Sequence, residues 1–221
     1  MGSGTLFVVS TPIGNLEDIT IRALRVLKEV DLIAAEDTRR TGVLLNAHGI
    51  SGRMTSFNAY NSRKKAPGIV AGIKEGGSVA LVSDSGTPGI SDPGSVLIAE
   101  CIKADLQVTA IPGPTAIMAA LVVSGKPSSK FVFEGFLSSK SSRRKKQLEE
   151  LAKEARTVVI YESPHRIMGF LRDLMDVAGD RDIAVLRELT KKFEEIKRGK
   201  ISEIISHFDE TPARGEFTVV I

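Results

Sequence analysis

The first half of the chain alternates between short apolar runs and longer amphipathic segments. Four of the runs are predicted to be strands, and the first of them shows no polar alternation, which is typical of a strand that is covered on both faces. These runs are TLFVVS, DLIAA, SVALVSD and QVTAI. The segments between them have helical spacing, and the first helix has a plausible N-cap at Asp18. This β-α order predicts an α/β domain with a mostly parallel sheet over residues 5–114.

The second half repeats the alternation after a break at IPGPTA, residues 111–116. Five further segments have the pattern of strands. They are KFVFEGF, TVVIYES, DIAVLREL, FEEIKRG and GEFTVVI. The segment FEEIKRG is expected to pair antiparallel at an edge. We therefore predict a second α/β domain over residues 115–221, again with a mostly parallel sheet.

Several of the strands end in unusual loops. These loops are TPIGN, AEDTRR, SDSGTPGISDPG, IPGPTA and YESPHR. Ligands of open α/β sheets sit beyond the carboxyl ends of the strands. Because proline fixes φ and glycine lets a ligand approach the backbone, such loops suit a ligand recognised by main-chain contacts, such as a nucleoside. The alternative is that glycine and proline only punctuate turns, and a short helix is expected to follow the EDTRR loop over residues 41–49.

Acidic residues are placed in these same loops. They are Glu36, Asp37, Asp84, Asp92 and Glu162. Such carboxylates can bind ribose hydroxyls, favour a cationic ligand or act as bases, and they can equally cap the helices that follow. A sulfonium cofactor would gain from the negative potential, and methyl transfer from it needs only an in-line approach of the acceptor to the methyl carbon.

Composition removes several other classes of protein. The chain has 221 residues and is 42% hydrophobic, which is enough for one large core or two small ones. No apolar run approaches the roughly 20 residues of a membrane span. The sequence lacks a P-loop, a G-x-G-x-x-G turn and a G-x-S-x-G elbow. Its single cysteine, Cys101, is expected in the core of a protein in a reducing cytosol, and three scattered histidines make no metal cluster.

The net charge of +3 comes from the second half of the chain. Residues 1–114 carry 11 Lys and Arg against 11 Asp and Glu, whereas residues 115–221 carry 19 against 16. The densest basic block is Lys140, Arg143, Arg144, Lys145 and Lys146. This block fits either a polyanionic partner or a solvated start of a helix.

Seven motifs, in order from Ser10 to Glu195, together resemble one known family. They are STPIGNLEDIT, AEDTRRTGVLL, VSDSGTPGISDPG, IPGPTAIMAALVVSG, FEGFLSSK, VIYESPHRI and RELTKKFEE. The chain is similar over essentially its whole length to the ribosomal RNA small subunit methyltransferase I proteins of the tetrapyrrole methylase superfamily. This resemblance implies two α/β domains with S-adenosylmethionine held in a cleft between them. It implies a cytoplasmic homodimer that methylates a cytidine ribose 2′-hydroxyl of small-subunit ribosomal RNA, either as RNA or in the assembled subunit, with no membrane partner.

The resemblance also assigns residues to the site. The cofactor-binding set would be Pro12, Asp84, Ser85, Gly86, Thr87, Ile90, Thr115, Ala116, Phe136, Leu137 and Leu186. The substrate-binding set would be Gly14, Asn15, Thr38, Arg39, Arg40, Asn61, Lys140, Arg143, Arg144, Ser163 and Arg166. Candidates for the group that takes the proton from the ribose hydroxyl are Glu36, Asp37 and His165, with Glu162 as a fourth, and the residues alone do not choose between them.

The sequence departs from the family pattern in two places. Many relatives carry two histidines in an S-Y-H-x-H-N-E segment, where this chain has Asn58 and Tyr60 and keeps Asn61. Many relatives also continue beyond GEFTVVI, so weaker affinity for RNA is expected here.

Two other functions stay open at this level. One is another methyl transfer of the tetrapyrrole methylase type, to a corrinoid carbon or to the diphthine precursor on an elongation factor. The other is a protein that binds the cofactor without catalysis. The basic block and the motifs YESPHR and AEDTRR favour an RNA substrate over the first of these.

Overall fold

A computed structural model describes residues 4–92 and 94–221 of the chain. These residues fall into two compact units that divide between Thr115 and Ala116. No helix in the described ranges is long and apolar enough to cross a membrane.

The first unit is built on a five-stranded sheet in which every pair of neighbours is parallel. Its strands are β1 (Thr5–Val9), β2 (Leu32–Ala35), β3 (Met54–Ser56), β4 (Val79–Val82) and β5 (Gln107–Ile111). Its helices are α1 (Ile21–Glu29), α2 (Thr38–Ala47), α3 (Ser62–Lys74) and α4 (Ser95–Lys103). The strand order is β3-β2-β4-β1-β5.

Helices cover both faces of this sheet, which explains the continuous apolar runs. All four residues of β4 are buried. Ala80 and Val82 pack with residues of α1 and α2, whereas Val79 and Leu81 pack with residues of α3 and α4. The helices that follow the neighbouring strands β1 and β4 therefore cover opposite faces. Such a switch point leaves a crevice at the carboxyl ends of the two strands, where ligands of open α/β sheets bind.

Three local predictions for the first unit are corrected. Thr20, not Asp18, is the N-cap of α1, because its hydroxyl accepts a hydrogen bond from Ala23 N at 3.1 Å, and Asp18 lies in a preceding 3₁₀ turn. Helix α2 begins at Thr38 rather than residue 41, since the Asp37 carboxylate accepts from Arg39 N and caps it. Strand β3, which has only three residues, was not predicted from the sequence.

The second unit carries another five-stranded sheet with helices. Its strands are β6 (Phe131–Phe136), β7 (Thr157–Glu162), β8 (Asp182–Arg187), β9 (Glu195–Lys200) and β10 (Phe217–Val220). Its helices are α5 (Ala116–Val123), α6 (Ser141–Leu151), α7 (Ile167–Ala178) and α8 (Ile201–Glu210). The strand order is β6-β7-β10-β8-β9.

The predicted α/β class is confirmed for both units, but the prediction of a mostly parallel sheet is wrong for the second. Only β6 and β7 pair in parallel, and β10 runs antiparallel to both β7 and β8. The edge strand β9 is antiparallel to β8, as expected for FEEIKRG, because the short connection over residues 188–194 turns the chain straight back. Strands β6, β7 and β8 still share one direction, so their carboxyl ends lie at the same edge of the sheet.

Candidate active site

The loops after β1 and β4 are bound to each other at the switch point. Thr11 N donates to Gly86 O at 2.8 Å and Gly86 N donates to Thr11 O at 3.1 Å, which forms a short antiparallel bridge. The hydroxyl oxygens of Ser10 and Thr87 lie 2.8 Å apart and share a hydrogen bond. The two loops therefore act as one backbone platform at the ends of neighbouring strands.

The loops after β2 and β4 exchange carboxylate hydrogen bonds. Asp84 N donates to Glu36 Oε2 at 3.1 Å, and Asp37 N donates to Asp84 Oδ1 at 3.0 Å. Arg40 Nη1 lies 3.5 Å from Asp84 Oδ2. We call the two reciprocal hydrogen bonds between Glu36, Asp84 and Asp37 the carboxylate brace.

The loop after β5 approaches the same place through glycine. A Cβ at Gly113 would lie 2.8 Å from the Cβ of Ser10, so only glycine allows this contact without a shift. Gly86 has a φ of +78°, which favours glycine, and a Cβ on it would lie 3.8 Å from Pro114 O. Four loops of the first unit thus converge at the carboxyl edge of its sheet, and three of them, those after β1, β4 and β5, are the ones rich in glycine and proline.

A small pocket opens beside these loops. Its volume is about 100 Å³, and α2 forms one wall. It is lined by Thr11, Pro12, Leu16, Arg40, Thr41, Val43, Leu44, Ser83 and Asp84. The pocket combines an apolar wall with one carboxylate and one guanidinium, which suits part of a nucleotide.

The pKa values of the neighbouring carboxyl groups of Glu36 and Asp37 are shifted in opposite directions. Burial, followed by the nearby charge of Asp84, raises the pKa of Glu36, although the hydrogen bond from Asp84 N opposes the shift. Hydrogen bonds from the Arg39 side chain and backbone lower the pKa of Asp37 to about 2. Glu36 is therefore the stronger proton acceptor of the two, and Asp37 stays ionised as a helix cap.

The stability of the Glu36→Gln variant, compared with that of wild type at the same pH, should increase as the pH rises. The raised pKa means that protonated Glu36 contributes to the free energy of unfolding of wild type. This contribution is lost as the pH rises above 4.5 and through the folded-state pKa. Glutamine keeps an acceptor for Asp84 N and does not titrate. The measurement is the free energy of urea unfolding of both proteins at about pH 4 and about pH 7.

Asp37→Asn is the matched control for that measurement. Its carboxyl pKa is lowered from 3.8 to about 2, so wild type should gain stability over Asp37→Asn as pH rises between those two values, and this comparison adds a measurement at about pH 2.5. If both variants changed with pH in the same direction, the opposite environments of the two carboxyls would be contradicted.

The predicted cofactor-binding residues of the first unit lie in the converging loops. They are Pro12, Asp84, Ser85, Gly86, Thr87, Ile90 and Thr115. The bridge between the ends of β1 and β4 holds the surrounding main chain in place, and two partly buried carboxylates add negative charge. This set fits a nucleoside with a cationic sulfonium, because it combines a fixed loop backbone with negative charge.

The predicted substrate residues of the first unit divide between exposed and structural positions. Gly14 and Asn15 are exposed beside the pocket wall, and Thr38, Arg39 and Arg40 form the first turn of α2. Asn61 instead holds its own segment, since its side chain accepts from Asn58 N and donates to Ser56. Its polar atoms are used within the fold.

In the second unit, the buried Glu162 pairs with the partly exposed Arg166 at the end of β7. Arg166 Nε lies 3.1 Å from Glu162 Oε1, and Arg166 Nη2 donates to Leu137 O at 2.5 Å. Burial raises the pKa of Glu162, and the hydrogen bond from Ser163 N opposes the shift. Arg166 therefore ties the loop after β6 to the loop after β7, and its guanidinium is largely committed to that contact.

The prediction that Arg144 faces a substrate is corrected. Its side chain is buried on α6, where Nε donates to Asp173 Oδ2 at 2.8 Å and Nη2 lies 2.6 Å from the same oxygen. Ser141 Oγ donates to the other carboxylate oxygen of Asp173. This ion pair joins α6 to α7, so Arg144 is a structural residue.

The remaining predicted residues of the second unit differ in exposure. Lys140 and Arg143 are exposed at the start of α6, and His165 is exposed in the turn after Ser163 that precedes α7. Phe136 is also exposed, whereas Leu137 and Leu186 have buried side chains and Ala116 begins α5. Their roles toward cofactor and substrate stay predictions.

The structural roles of two groups of residues were not predicted from the sequence. Ser10 and Thr11 connect the loops, and their signal was the pair of hydroxyl side chains directly after β1. Asp173 was missed as the partner of Arg144, although an acidic residue within an apolar helix face could have suggested it.

Comparison with known proteins places these observations in a family. A sequence profile described as Tetrapyrrole (Corrin/Porphyrin) Methylases matches residues 5–205. Solved structures with the same fold include uroporphyrin-III-C-methyltransferase from Thermus thermophilus, at 20% identity and a TM-score of 0.69, covering 98% of this chain and 94% of that one. A cobalt precorrin-4 methyltransferase has a TM-score of 0.70 at 14% identity, covering 98% and 93%. Another structure of the Thermus enzyme, at 16% identity and a TM-score of 0.68, contains S-adenosylhomocysteine and covers 98% and 97%.

Closer relatives carry a more specific name. Ribosomal RNA small subunit methyltransferase I of Thermotoga maritima is 53% identical over 218 residues, covering 99% of this chain and 98% of its own. The protein of that name from Synechocystis is 48% identical and covers 99% and 78%. The chain belongs to the tetrapyrrole methylase family and, within it, to the ribosomal RNA small subunit methyltransferase I group. It is an S-adenosylmethionine-dependent methyltransferase.

Proposed function

We propose that this protein transfers a methyl group from S-adenosylmethionine to the 2′-hydroxyl of a cytidine in small-subunit ribosomal RNA. The observation that carries the proposal is the 53% identity with the Thermotoga methyltransferase along nearly the full length of both chains. The name of that relative specifies small-subunit ribosomal RNA, and the exposed basic residues at the start of α6 are compatible with such a substrate. The cytidine and its 2′-hydroxyl come from the family resemblance.

The first-unit loops are proposed to hold the cofactor through main-chain groups. S-adenosylmethionine supplies an electrophilic methyl group bonded to a positively charged sulfur. The half-buried carboxylates of Glu36 and Asp84 favour that charge, and the bridge between Thr11 and Gly86 fixes the platform on which the donor would rest. Rigid loops matter because methyl transfer depends on the alignment of the attacking oxygen with the methyl carbon.

Glu36 is the residue we assign to accept the proton of the ribose hydroxyl. Its pKa is raised by burial, which brings it closer to neutral pH and makes it a better base than an exposed carboxylate. Asp37 is less suitable because it is locked to Arg39 and has a pKa of about 2. His165 is exposed in the turn before α7, and we assign it to contact with the substrate instead.

Exposed basic residues are proposed to bind the phosphates of the RNA. They are Arg39, Arg40, Lys140, Arg143 and Lys146. Affinity for RNA should therefore fall steeply as salt concentration rises. We also propose that the enzyme works as a cytoplasmic homodimer, as the superfamily resemblance implies.

The test is transfer of labelled methyl groups by the full chain to small ribosomal subunits that lack the modification. The proposal expects 2′-O-methylcytidine after nuclease digestion, and no product with a uroporphyrinogen or with unmodified elongation factor. Glu36→Gln should lower the rate by about 10²–10⁴-fold while binding of S-adenosylmethionine, followed by calorimetry, stays intact. Asp37→Asn is the matched control and should keep most of the rate.

The results that would reject the proposal are specific. Methylation of the tetrapyrrole or of the elongation factor, with none on the subunits, would replace it by one of the other family reactions. Cofactor binding without transfer to any of these substrates would indicate a binding protein. A Glu36→Gln enzyme of normal rate would remove only the assignment of the base.

A further inference from the structure

The connection between β8 and β9 is strained and held in place. It spans residues 188–194, and both Glu188 and Thr190 have positive φ values, 51° and 66°, that non-glycine residues seldom adopt. Such backbone persists only where the surroundings fix it, and it is concentrated at functional sites. The segment contains most of the RELTKKFEE motif, for which the reaction itself provides no role.

Several interactions fix the base of this connection. Glu188 N donates to Glu216 O, and Glu216 N donates back to Glu188 Oε1, both at 2.9 Å. Lys191 Nζ bridges the carboxylates of Glu188 and Glu216 at 2.8 and 2.9 Å. The Glu194 carboxylate accepts from Thr190 N. The acidic side chains near the turn are thereby engaged within the fold.

The tip of the connection presents an aromatic ring and a cation to solvent. Phe193 is 67% exposed, and Lys192 Nζ lies 5.7 Å from the centre of its ring. A rigid turn that exposes phenylalanine next to lysine offers a stacking surface with a positive charge beside it. This is the combination that single-stranded nucleic acids bind, with the base on the ring and the phosphate at the cation.

The position of the tip agrees with such a partner. Because β6, β7 and β8 share one direction, the connection lies at the same edge of the second sheet as Lys140 after β6 and His165 after β7. Arg143 adds a further exposed cation in the first turn of α6. The other exposed ring at this edge, Phe136, ends β6 on the far side of the sheet from β8 and β9. An isolated ring among charged side chains is unlike the extended apolar core of a dimer interface. The charges favour a polyanion over a second copy of the chain.

We propose that Lys192 and Phe193 bind an unpaired nucleotide of the RNA substrate, with the base stacked on Phe193. This inference rests on the proposed function, since it assumes an RNA substrate. It places one nucleotide contact at the carboxyl edge of the second sheet, outside the converging loops of the first unit.

The absence of tryptophan from the sequence allows a direct test. Phe193→Trp introduces a single indole, and a single-stranded RNA oligonucleotide that contains the target cytidine should quench its fluorescence. Ile102→Trp is the control, because Ile102 has a similar exposure of 63% on α4 of the other unit. Its fluorescence should be unchanged at the same RNA concentration.

Phe193→Ala gives a second, functional measurement. It should weaken RNA binding about tenfold and raise the KM for small subunits by a similar factor, while the KM for S-adenosylmethionine is unchanged. Phe193→Tyr should leave the RNA affinity and the KM for small subunits close to those of wild type, because it keeps an aromatic ring.

Three outcomes would overturn the inference. One is unquenched indole fluorescence in the Phe193→Trp variant at RNA concentrations where filter binding shows saturation. Another is a Phe193→Ala enzyme with wild-type RNA affinity and wild-type KM for subunits. The third is a change of oligomeric state in Phe193→Ala with unchanged RNA affinity, which would assign the tip to contact between copies. Wild-type transfer to subunits, measured in the same preparations, separates these results from a failure of the proposed function.

Discussion

Arg144→Met is expected to lower the free energy of unfolding by about 3 kcal/mol, because the buried Asp173 carboxylate keeps only the longer contact of Lys145, whose Nζ lies 3.7 Å from Oδ1. Both side chains are nearly inaccessible, with Arg144 only 6% exposed, and they are joined by two short contacts between α6 and α7. Methionine fills much of the space of the arginine stem, so the loss should come mainly from the weaker compensation of the buried charge. Urea unfolding of the full chain, followed by far-ultraviolet circular dichroism, measures the effect.

The neighbouring residue provides the control for this prediction. Arg143 is exposed, and Arg143→Met should change stability by no more than about 0.5 kcal/mol. The double variant Arg144→Met with Asp173→Leu should recover most of the loss, because it removes both buried charges. A loss below about 1 kcal/mol for Arg144→Met alone would show that the pair is not buried as described.

Asp84→Ala is expected to lower kcat/KM for methyl transfer by about 10²-fold, the effect of misplacing reacting groups by roughly an ångström. The substitution removes the acceptor of Asp37 N and the partner of Arg40, so the loops after β2 and β4 lose one half of the carboxylate brace. It also removes a negative charge from the proposed cofactor platform. Steady-state kinetics with labelled cofactor and small subunits provide the measurement.

The opposite end of the same two strands supplies a matched control. Asp31 precedes β2 and accepts hydrogen bonds from the backbone and hydroxyl of Ser78, which precedes β4, at 2.7 and 2.6 Å. Asp31→Ala thus removes a similar carboxylate contact between the same strands at the amino edge of the sheet. It should lower stability while kcat/KM stays close to wild type. Equal loss of activity in both variants would mean that Asp84 acts only through the stability of the sheet.

The sequence predicted the order of elements because each strand and helix has a strong local pattern. It placed the start of α2 three residues too late, since EDTRR is charged and lacks apolar periodicity, whereas the capping carboxylate of Asp37 starts the helix at Thr38. It also missed the antiparallel pairs that β10 makes in the second sheet. The position of β10 between β7 and β8 depends on tertiary pairing, which local patterns do not encode.

For the candidate site, the sequence predicted the location but not the contacts between its residues. The glycine and proline content of the strand-end loops predicted a ligand site at the carboxyl ends of the strands, and the loops of the first unit do converge at that edge. The carboxylate brace could not be predicted from the sequence, because it depends on β2 and β4 being neighbours in the sheet. Arg144 was misplaced for a related reason: a run of basic residues on a helix resembles a solvated face until the facing helix, with Asp173, is known.

The central place of β10 has a consequence for the synthesis of the protein on the ribosome. The first unit has all its strands once residue 111 has emerged, so it can fold while translation continues. The second sheet stays split, with unpaired edges on β7 and β8, until residues 217–220 leave the exit tunnel. During that interval the half-built sheet exposes two aggregation-prone edges, and the emergence of β10 is the step that allows the sheet to close.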